Sequence, residues 1–211
     1  MRYATALLLT TATLSLPAMG CKSSEEAESP PRSDPATPPS PSSTAPPPAA
    51  AKTALTDPQI AAIVVAANQV DIDNGELATR KAKDAEVKKF AERMITDHGG
   101  VNKAAVELVT KLGVTPAETD ASHQLTDSGQ KTRHQLEALD GDAFDRAYVD
   151  NEVAYHKAVI EVLDAQLIPS ASNAELKKML VGVRPAFVAH LKHAQQIQST
   201  LAGSAAKTGM R

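Results

Sequence analysis

Four long stretches of the chain carry apolar residues at the three- and four-residue intervals that mark one face of an α-helix. They cover about residues 57–78, 85–112, 142–167 and 174–201. A helix-capping residue or a turn signal precedes each stretch. A weaker fifth stretch covers about residues 120–139, and Ser128-Gly129 interrupts it. The pattern predicts an all-α domain with four long helices and a shorter one between the second and the third.

The lengths of the connections predict how these helices are arranged. A few residues join the first helix to the second and the third to the fourth, so each pair forms an antiparallel hairpin. The connection over residues 114–141 is long enough to travel most of the length of the bundle. Two hairpins joined by one long crossover are typical of the ferritin-like four-helix bundle. We therefore predict that fold, with a partly helical crossover.

Each of the four apolar stripes is interrupted near its middle by a polar residue. These residues are Asp71, His98, His156 and His190. Because the midpoints of antiparallel helices meet at one level, we expect one carboxylate and three imidazoles to converge in the core. Such a set can bind a transition metal. It can equally form a layer of hydrogen bonds that fixes the register of the helices.

Two further residues are candidate metal ligands. Glu152 lies one turn before His156, and His193 lies three residues after His190. A di-iron centre is disfavoured because it needs Glu-x-x-His on two helices, and the residues at that spacing before the three histidines are Ile95, Val153 and Phe187. We expect at most one transition-metal ion, and no catalytic residue is predicted.

The first residues indicate an envelope protein. Residues 1–20 carry Arg2 and a short apolar run, which predicts a cleaved secretory signal. Cys21 follows small residues and is the only cysteine, so we expect it to be lipidated and to anchor the chain in a membrane. Lys22 after it favours the outer membrane over the inner one. Residues 21–54 form a Pro-rich, disordered linker, residues 55–203 the bundle domain, and residues 204–211 a disordered tail.

Charge limits the classes of partner. The net charge is −3, and lysine and arginine form no strong basic patch, which excludes nucleic acid as a partner. The expected partners are the membrane, through the lipid on Cys21, and a protein of the cell envelope.

Three segments in order resemble a known bacterial family. They are VKKFAERMITDH at residues 87–98, FDRAYV at residues 144–149 followed by His156, and Pro185 followed by His190-Leu191. This pattern resembles domain-of-unknown-function family 4142, also called "predicted outer membrane protein", of the ferritin-like superfamily. The resemblance covers residues 55–201 and implies a four-helix fold and an envelope location. It implies no established reaction.

The chain differs from that family pattern directly after His98. Gly99-Gly100 stands where residues better suited to a helix are usual. Each glycine costs about 1 kcal/mol relative to alanine inside a helix. The pair either loosens the second helix beside the polar layer or permits a close backbone contact.

Two functions are consistent with the sequence. The first is a membrane-anchored envelope lipoprotein whose helical bundle has a non-catalytic role in structure, interaction or stress tolerance. The alternative is a periplasmic metal-binding or redox protein, with Asp71, His98, His156 and His190 as ligands of one ion.

Overall fold

The computed structural model describes residues 54–208. Their helices are α1 (Asp57–Lys81), α2 (Ala85–Lys111), α3 (Asp120–Glu137), α4 (Gly141–Val162), α5 (Ile168–Ser170) and α6 (Ala174–Thr208). One π turn, Leu163–Leu167, joins α4 to α5, and no strand occurs within the described range. The predicted signal peptide, the lipidation of Cys21 and most of the linker fall outside these residues and stay predictions.

Four long helices form the bundle. Helix α1 packs against α2 and α4, and α6 packs against the same two helices from the other side. The crossover helix α3 lies mainly on α1. This arrangement confirms the predicted all-α, ferritin-like bundle with a helical crossover. None of the described helices is long and apolar enough to span a membrane.

The connection between α1 and α2 is fixed by two aspartates. Asp84 caps α2 by accepting hydrogen bonds from the amides of Glu86 and Val87. Asp145 of α4 is buried and accepts hydrogen bonds from the amides of Lys83 and Asp84, at 3.0 and 2.8 Å. The first hairpin is therefore attached at its turn to the third long helix.

The helix that begins at Gly141 continues beyond its predicted end at Leu167. The amide of Ile168 donates to the carbonyl of Leu163, five residues back, and α5 then includes Pro169. A proline has no amide hydrogen and its ring clashes with the carbonyl four residues earlier. The wider π turn accommodates Pro169, so the helix continues to Ser170 and keeps Leu163 and Leu167 buried.

Helix α6 begins where the sequence predicts. Asn173 precedes it, and its side-chain oxygen accepts hydrogen bonds from the amides of Glu175 and Leu176. The helix includes Pro185 and extends to Thr208, beyond Gly203, where the domain was expected to end and a disordered tail to begin.

Two glycines permit close contacts between helices. A Cβ at Gly129 of α3 would lie 2.6 Å from Cγ2 of Val70, and a Cβ at Gly75 of α1 would lie 3.1 Å from the carbonyl oxygen of Ala91. The glycine that weakens the helical pattern of the crossover is thus the residue that lets α3 approach α1.

Replacing Gly129 with alanine should destabilise the bundle. The added methyl group overlaps Val70, which is itself buried, so we expect a loss of about 1–3 kcal/mol in the free energy of unfolding. Gly182→Ala in α6 is the control, since a Cβ there meets no neighbour and should stabilise the helix by up to about 1 kcal/mol. Urea unfolding of both variants measures the difference, and equal stabilities would contradict the close contact.

The first residue of α1 is bonded to the start of α6. The carboxylate of Asp57 accepts hydrogen bonds from the amide and the hydroxyl of Ser172 and from the amide of Asn173. Burial alone would raise the pKa of Asp57, but these hydrogen bonds outweigh it and lower that pKa below its usual value. The ionised carboxylate of Asp57 therefore stabilises the folded state.

Asp57→Ala should cost stability in a pH-dependent way. The pKa of Asp57 is lower in the folded state than in the unfolded chain. Its contribution to the free energy of unfolding is therefore fully present above the unfolded-state pKa and is lost as the pH falls through the folded-state pKa. We expect a difference of up to about 1 kcal/mol at pH 7, limited by solvent screening, that shrinks below pH 4. Urea unfolding from pH 7 to pH 3 measures it, and a difference independent of pH would be contrary to this account.

The core is divided into two apolar halves. One contains Leu77, Phe90, Met94, Phe144, Tyr148 and Ile197, and the other contains Ile60, Ile63, Ala105, Leu163, Leu180 and Phe187. On each long helix the polar interruption lies between the residues of one half and those of the other. These four polar interruptions therefore form a layer across the middle of the bundle.

Candidate metal centre

The four predicted residues meet in this layer. Asp71 on α1, His98 on α2, His156 on α4 and His190 on α6 are each no more than 2% exposed. Each of the three histidines offers one ring nitrogen to a common group, and these three nitrogens all lie within 4.8 Å of one another. The Oδ2 atom of Asp71 is 3.1 Å from Nε2 of His98 and 3.7 Å from Nε2 of His156.

Asn68 determines which nitrogen of His98 carries the proton. Its amide nitrogen donates to the carbonyl of Val64 at 2.8 Å, which turns its Oδ1 atom toward His98. That oxygen is 2.7 Å from Nδ1 of His98 and can only accept a hydrogen bond. Nδ1 must therefore be protonated, which leaves the lone pair of Nε2 directed toward Asp71 and His156.

His156 and His190 are oriented in the same manner. Nδ1 of His156 is 3.0 Å from the carbonyl oxygen of Glu152, which is also only an acceptor. Nε2 of His190 is 2.8 Å from Oδ2 of Asp97, a carboxylate near the surface that also binds Arg93. Each ring therefore donates its proton to a neighbour outside the cluster and retains an unprotonated nitrogen.

These remaining nitrogens have no other partner. Nε2 of His98, Nε2 of His156 and Nδ1 of His190 are buried and make no hydrogen bond with any residue of the 54–208 region. A buried acceptor left without a partner costs about 1–3 kcal/mol, and such groups are rare in folded proteins. Three of them in one place form a set of ring nitrogens that can accept a proton or bind a metal ion.

Buried carboxyl groups add further acceptors. Asp71 and Glu152 are neighbouring buried carboxyl groups, and ligand atoms of both lie within 4.8 Å of His156. Acceptors that face acceptors repel unless a proton or a metal cation lies between them. The layer therefore needs added positive charge, as protons or as a metal ion.

Burial keeps the imidazoles neutral. Loss of solvent, together with a smaller contribution from the nearby His190, lowers the pKa of His98 to about 3. Burial also lowers the pKa of His156 and of His190 below the usual value. A metal ligand must be an unprotonated nitrogen, so these histidines are ready to bind an ion at neutral pH.

Burial acts on the carboxyl groups in the opposite direction. It raises the pKa of Asp71, and it raises that of Glu152 well above its usual value, where the adjacent Asp71 charge adds to the effect. Both shifts favour the protonated acid, which can donate a hydrogen bond to the other carboxyl group. A hydrogen bond from a protonated neighbour would fix the orientation of the carboxylate, as the outer hydrogen bonds fix the orientation of the imidazole rings.

The structure does not bring every candidate residue into the cluster. Asp71 and Glu152 do not belong to the group of three histidines; with His156 they form a second group. His193 does not join either group, because its ring packs edge-on against Phe90 with the ring centroids 5.3 Å apart. Phe187 covers the cluster instead, stacked on the His98 ring at 5.1 Å.

Sequence reasoning did not find Asn68. It lies three residues before Asp71 and is 3% exposed, so a polar residue on the apolar side of α1 was the available signal. The same signal marks Asn74, three residues after Asp71, whose Oδ1 atom is buried without a hydrogen bond to the described part of the chain.

The donor set fits a single transition-metal ion. Three atoms no more than 4.8 Å apart can all lie within about 2.8 Å of one point, so side-chain shifts of about 0.7 Å reach the usual metal–nitrogen distance of about 2.1 Å. Three imidazoles and a carboxylate suit a transition-metal ion, and the carboxylate of Asp71 lies near two of these rings, His98 and His156. Each imidazole already has the second hydrogen bond that metal-binding histidines normally make.

Comparison with known families identifies the domain. A family model described as "Domain of unknown function (DUF4142)" matches residues 42–197, which is most of the chain. The chain belongs to the DUF4142 family. The match begins within the predicted linker and includes Asp71, His98, His156 and His190. No curated protein matches this DUF4142 chain.

Two solved structures resemble the DUF4142 bundle. One is the crystal structure of a DUF305 protein from Streptomyces coelicolor, described as secreted, with 11% identity and a TM-score of 0.59 over 68% of this chain and 92% of that one. The other is CopM in its Cu(II)-bound form, with 18% identity and a TM-score of 0.56 over 70% and 98%. At these identities the similarity establishes the shared fold alone.

Two tyrosines beside the layer should respond differently to loss of the hydroxyl group. The buried hydroxyl of Tyr148 makes no hydrogen bond within the described region, whereas that of Tyr155 donates to the carbonyl of Ala67 at 2.8 Å. We expect Tyr148→Phe to leave the free energy of unfolding unchanged or raise it by up to about 1 kcal/mol. Tyr155→Phe should lower it by about 1 kcal/mol. Chemical unfolding measures both, and a larger loss in Tyr148→Phe would reveal an unrecognised partner.

Proposed function

We propose that this DUF4142 protein binds one divalent transition-metal ion in the cell envelope. Its ligands are Nε2 of His98, Nε2 of His156, Nδ1 of His190 and a carboxylate oxygen of Asp71. The observation that carries the proposal is the set of three neutral, buried ring nitrogens without partners, each on a ring whose other nitrogen is bound to an acceptor.

The surroundings of the ligands support a metal more than a purely structural layer. A structural layer would pair donors with acceptors, but here the unprotonated ring nitrogens of three histidines face one another. Asn68, the Glu152 carbonyl and Asp97 orient the rings from outside the cluster, as second hydrogen-bond partners do in metal sites. A divalent ion would supply the positive charge that these acceptors lack.

Ligand chemistry narrows the choice of ion. Imidazole nitrogen with one carboxylate suits Zn(II), Cu(II), Ni(II) and Fe(II), and Cu(II) binds most tightly among the divalent ions of this series. The Cu(II)-bound form of CopM shows that a bundle of this fold can hold copper. We therefore favour Cu(II), and Zn(II) is the second ion to test.

The role that fits this site is binding without catalysis. Catalytic zinc sites keep a coordination position open for water or substrate, whereas structural sites use four protein ligands. Here four protein ligands are available, each no more than 2% exposed. The predicted signal and the predicted lipid on Cys21 support a location outside the cytoplasm, and Lys22 favours the outer membrane as the site of the anchor.

Metal analysis tests the proposal. The full chain, purified without a histidine tag and exposed to Cu(II) or Zn(II), should contain close to one ion per molecule by mass spectrometry. His98→Ala and His190→Ala should each weaken binding at least 100-fold, because each removes one of the ligands. Circular dichroism and thermal unfolding establish that the variants are folded.

A matched control is available on the same helix. His193→Ala removes a histidine one turn from His190 that lies outside the cluster, so it should bind like the unaltered protein. Loss of binding in His193→Ala equal to that in His190→Ala would refute the assigned site. A folded protein that takes up neither ion would leave the layer satisfied by protons and its function structural.

A further inference from the structure

A site this deeply enclosed raises the question of how an ion reaches it. All four proposed ligands are no more than 2% exposed, and Phe187 packs over the His98 ring. An ion cannot enter the closed bundle, so a part of the wall must open. The segment that opens should be a part of a ligand-bearing helix in which the helical state has low stability.

Gly99 and Gly100 form such a weak point in α2. They directly follow His98 in the middle of a continuous helix. A Cβ at either position would meet no atom within 4 Å beyond the adjoining helix backbone, so close packing does not require glycine there. This separates them from Gly75 and Gly129, which permit contacts between helices.

Space for movement lies beside the same residue. A cavity of about 30 Å³ is bordered by His98, Val101, Asn68 and Tyr155, with Phe187 at its edge. Gly100 faces solvent, and Gly99 is half-buried. The turn that follows His98 therefore has an exposed outer side at Gly100 and a small cavity on its inner side at Val101.

We propose that the turn of α2 from Gly99 to Asn102 opens locally and is the gate through which the metal ion reaches and leaves the four ligands. This inference rests on the proposed metal-binding function. Opening the turn breaks a few backbone hydrogen bonds and releases His98 from its position beside Asp71, while α1, α4 and α6 keep the other three ligands in place.

The composition of the turn sets how often it opens. Alanine favours the helical state over glycine by about 1 kcal/mol per residue, so two alanines would make the open state about 30-fold rarer. Association and dissociation of the ion would slow together. Because the closed site would be unchanged, the equilibrium affinity would stay the same.

The double variant Gly99→Ala/Gly100→Ala of the full chain tests the gate, with Gly182→Ala as its control. Gly182 is also an exposed helical glycine with open space at its Cβ position, but it lies on α6 outside the gate. Cu(II) uptake is followed by rapid mixing and Cu(II) release by transfer to EDTA. Amide hydrogen exchange of the metal-free protein reports opening of the turn directly.

The expected result is specific to the double variant. Its Cu(II) uptake and release should both slow by roughly 30-fold at unchanged affinity, and the amides of residues 99–103 should exchange more slowly by a similar factor. Gly182→Ala should change neither. Unchanged uptake and release in the double variant, with Cu(II) still bound, would overturn the gate alone. A protein that binds no Cu(II) would overturn the proposed function and with it the purpose of the opening.

Discussion

Transfer of imidazoles and carboxyl groups from water into the middle of an apolar bundle is the constraint that organises this molecule. It is unfavourable unless each polar atom gains a partner. The protein meets this requirement on the outer side of the layer, where Asn68, Asp97 and the Glu152 carbonyl accept from the rings. It leaves the requirement unmet on the inner side. The arrangement of four helices, the neutral state of the histidines and the proposed ion all depend on that asymmetry.

The sequence was sufficient to predict the fold and to place Asp71, His98, His156 and His190 together, because helical periodicity places each interruption at the centre of its stripe. It was not sufficient for contacts that depend on three dimensions. Nothing local indicates that Asp145 accepts from the amides before α2, or that a π turn accommodates Pro169. His193 was misleading because a spacing of three residues does not establish that two side chains share an environment; a packed Phe90 decides it.

The glycines show why the same residue type needs different explanations. Gly129 weakens the helical pattern of the crossover but permits the contact with Val70 that joins α3 to α1. Gly99 and Gly100 make no such contact, so no close packing offsets the lower helix stability that the two glycines cause. The sequence alone left both interpretations of that pair open, and only the space around each backbone position distinguishes them.

The hydrogen bonds of Asp57 also determine how the bundle would carry a mechanical load. Any tension along the predicted membrane linker enters the described domain at the first turn of α1. There the carboxylate of Asp57 bonds the backbone at Ser172 and Asn173, between α5 and α6. Tension at this point would therefore act on both α1 and α6, and it would not separate α1 from the bundle starting at the end of that helix. A tether through the predicted linker would therefore act on the domain through a clamp that joins distant parts of the chain.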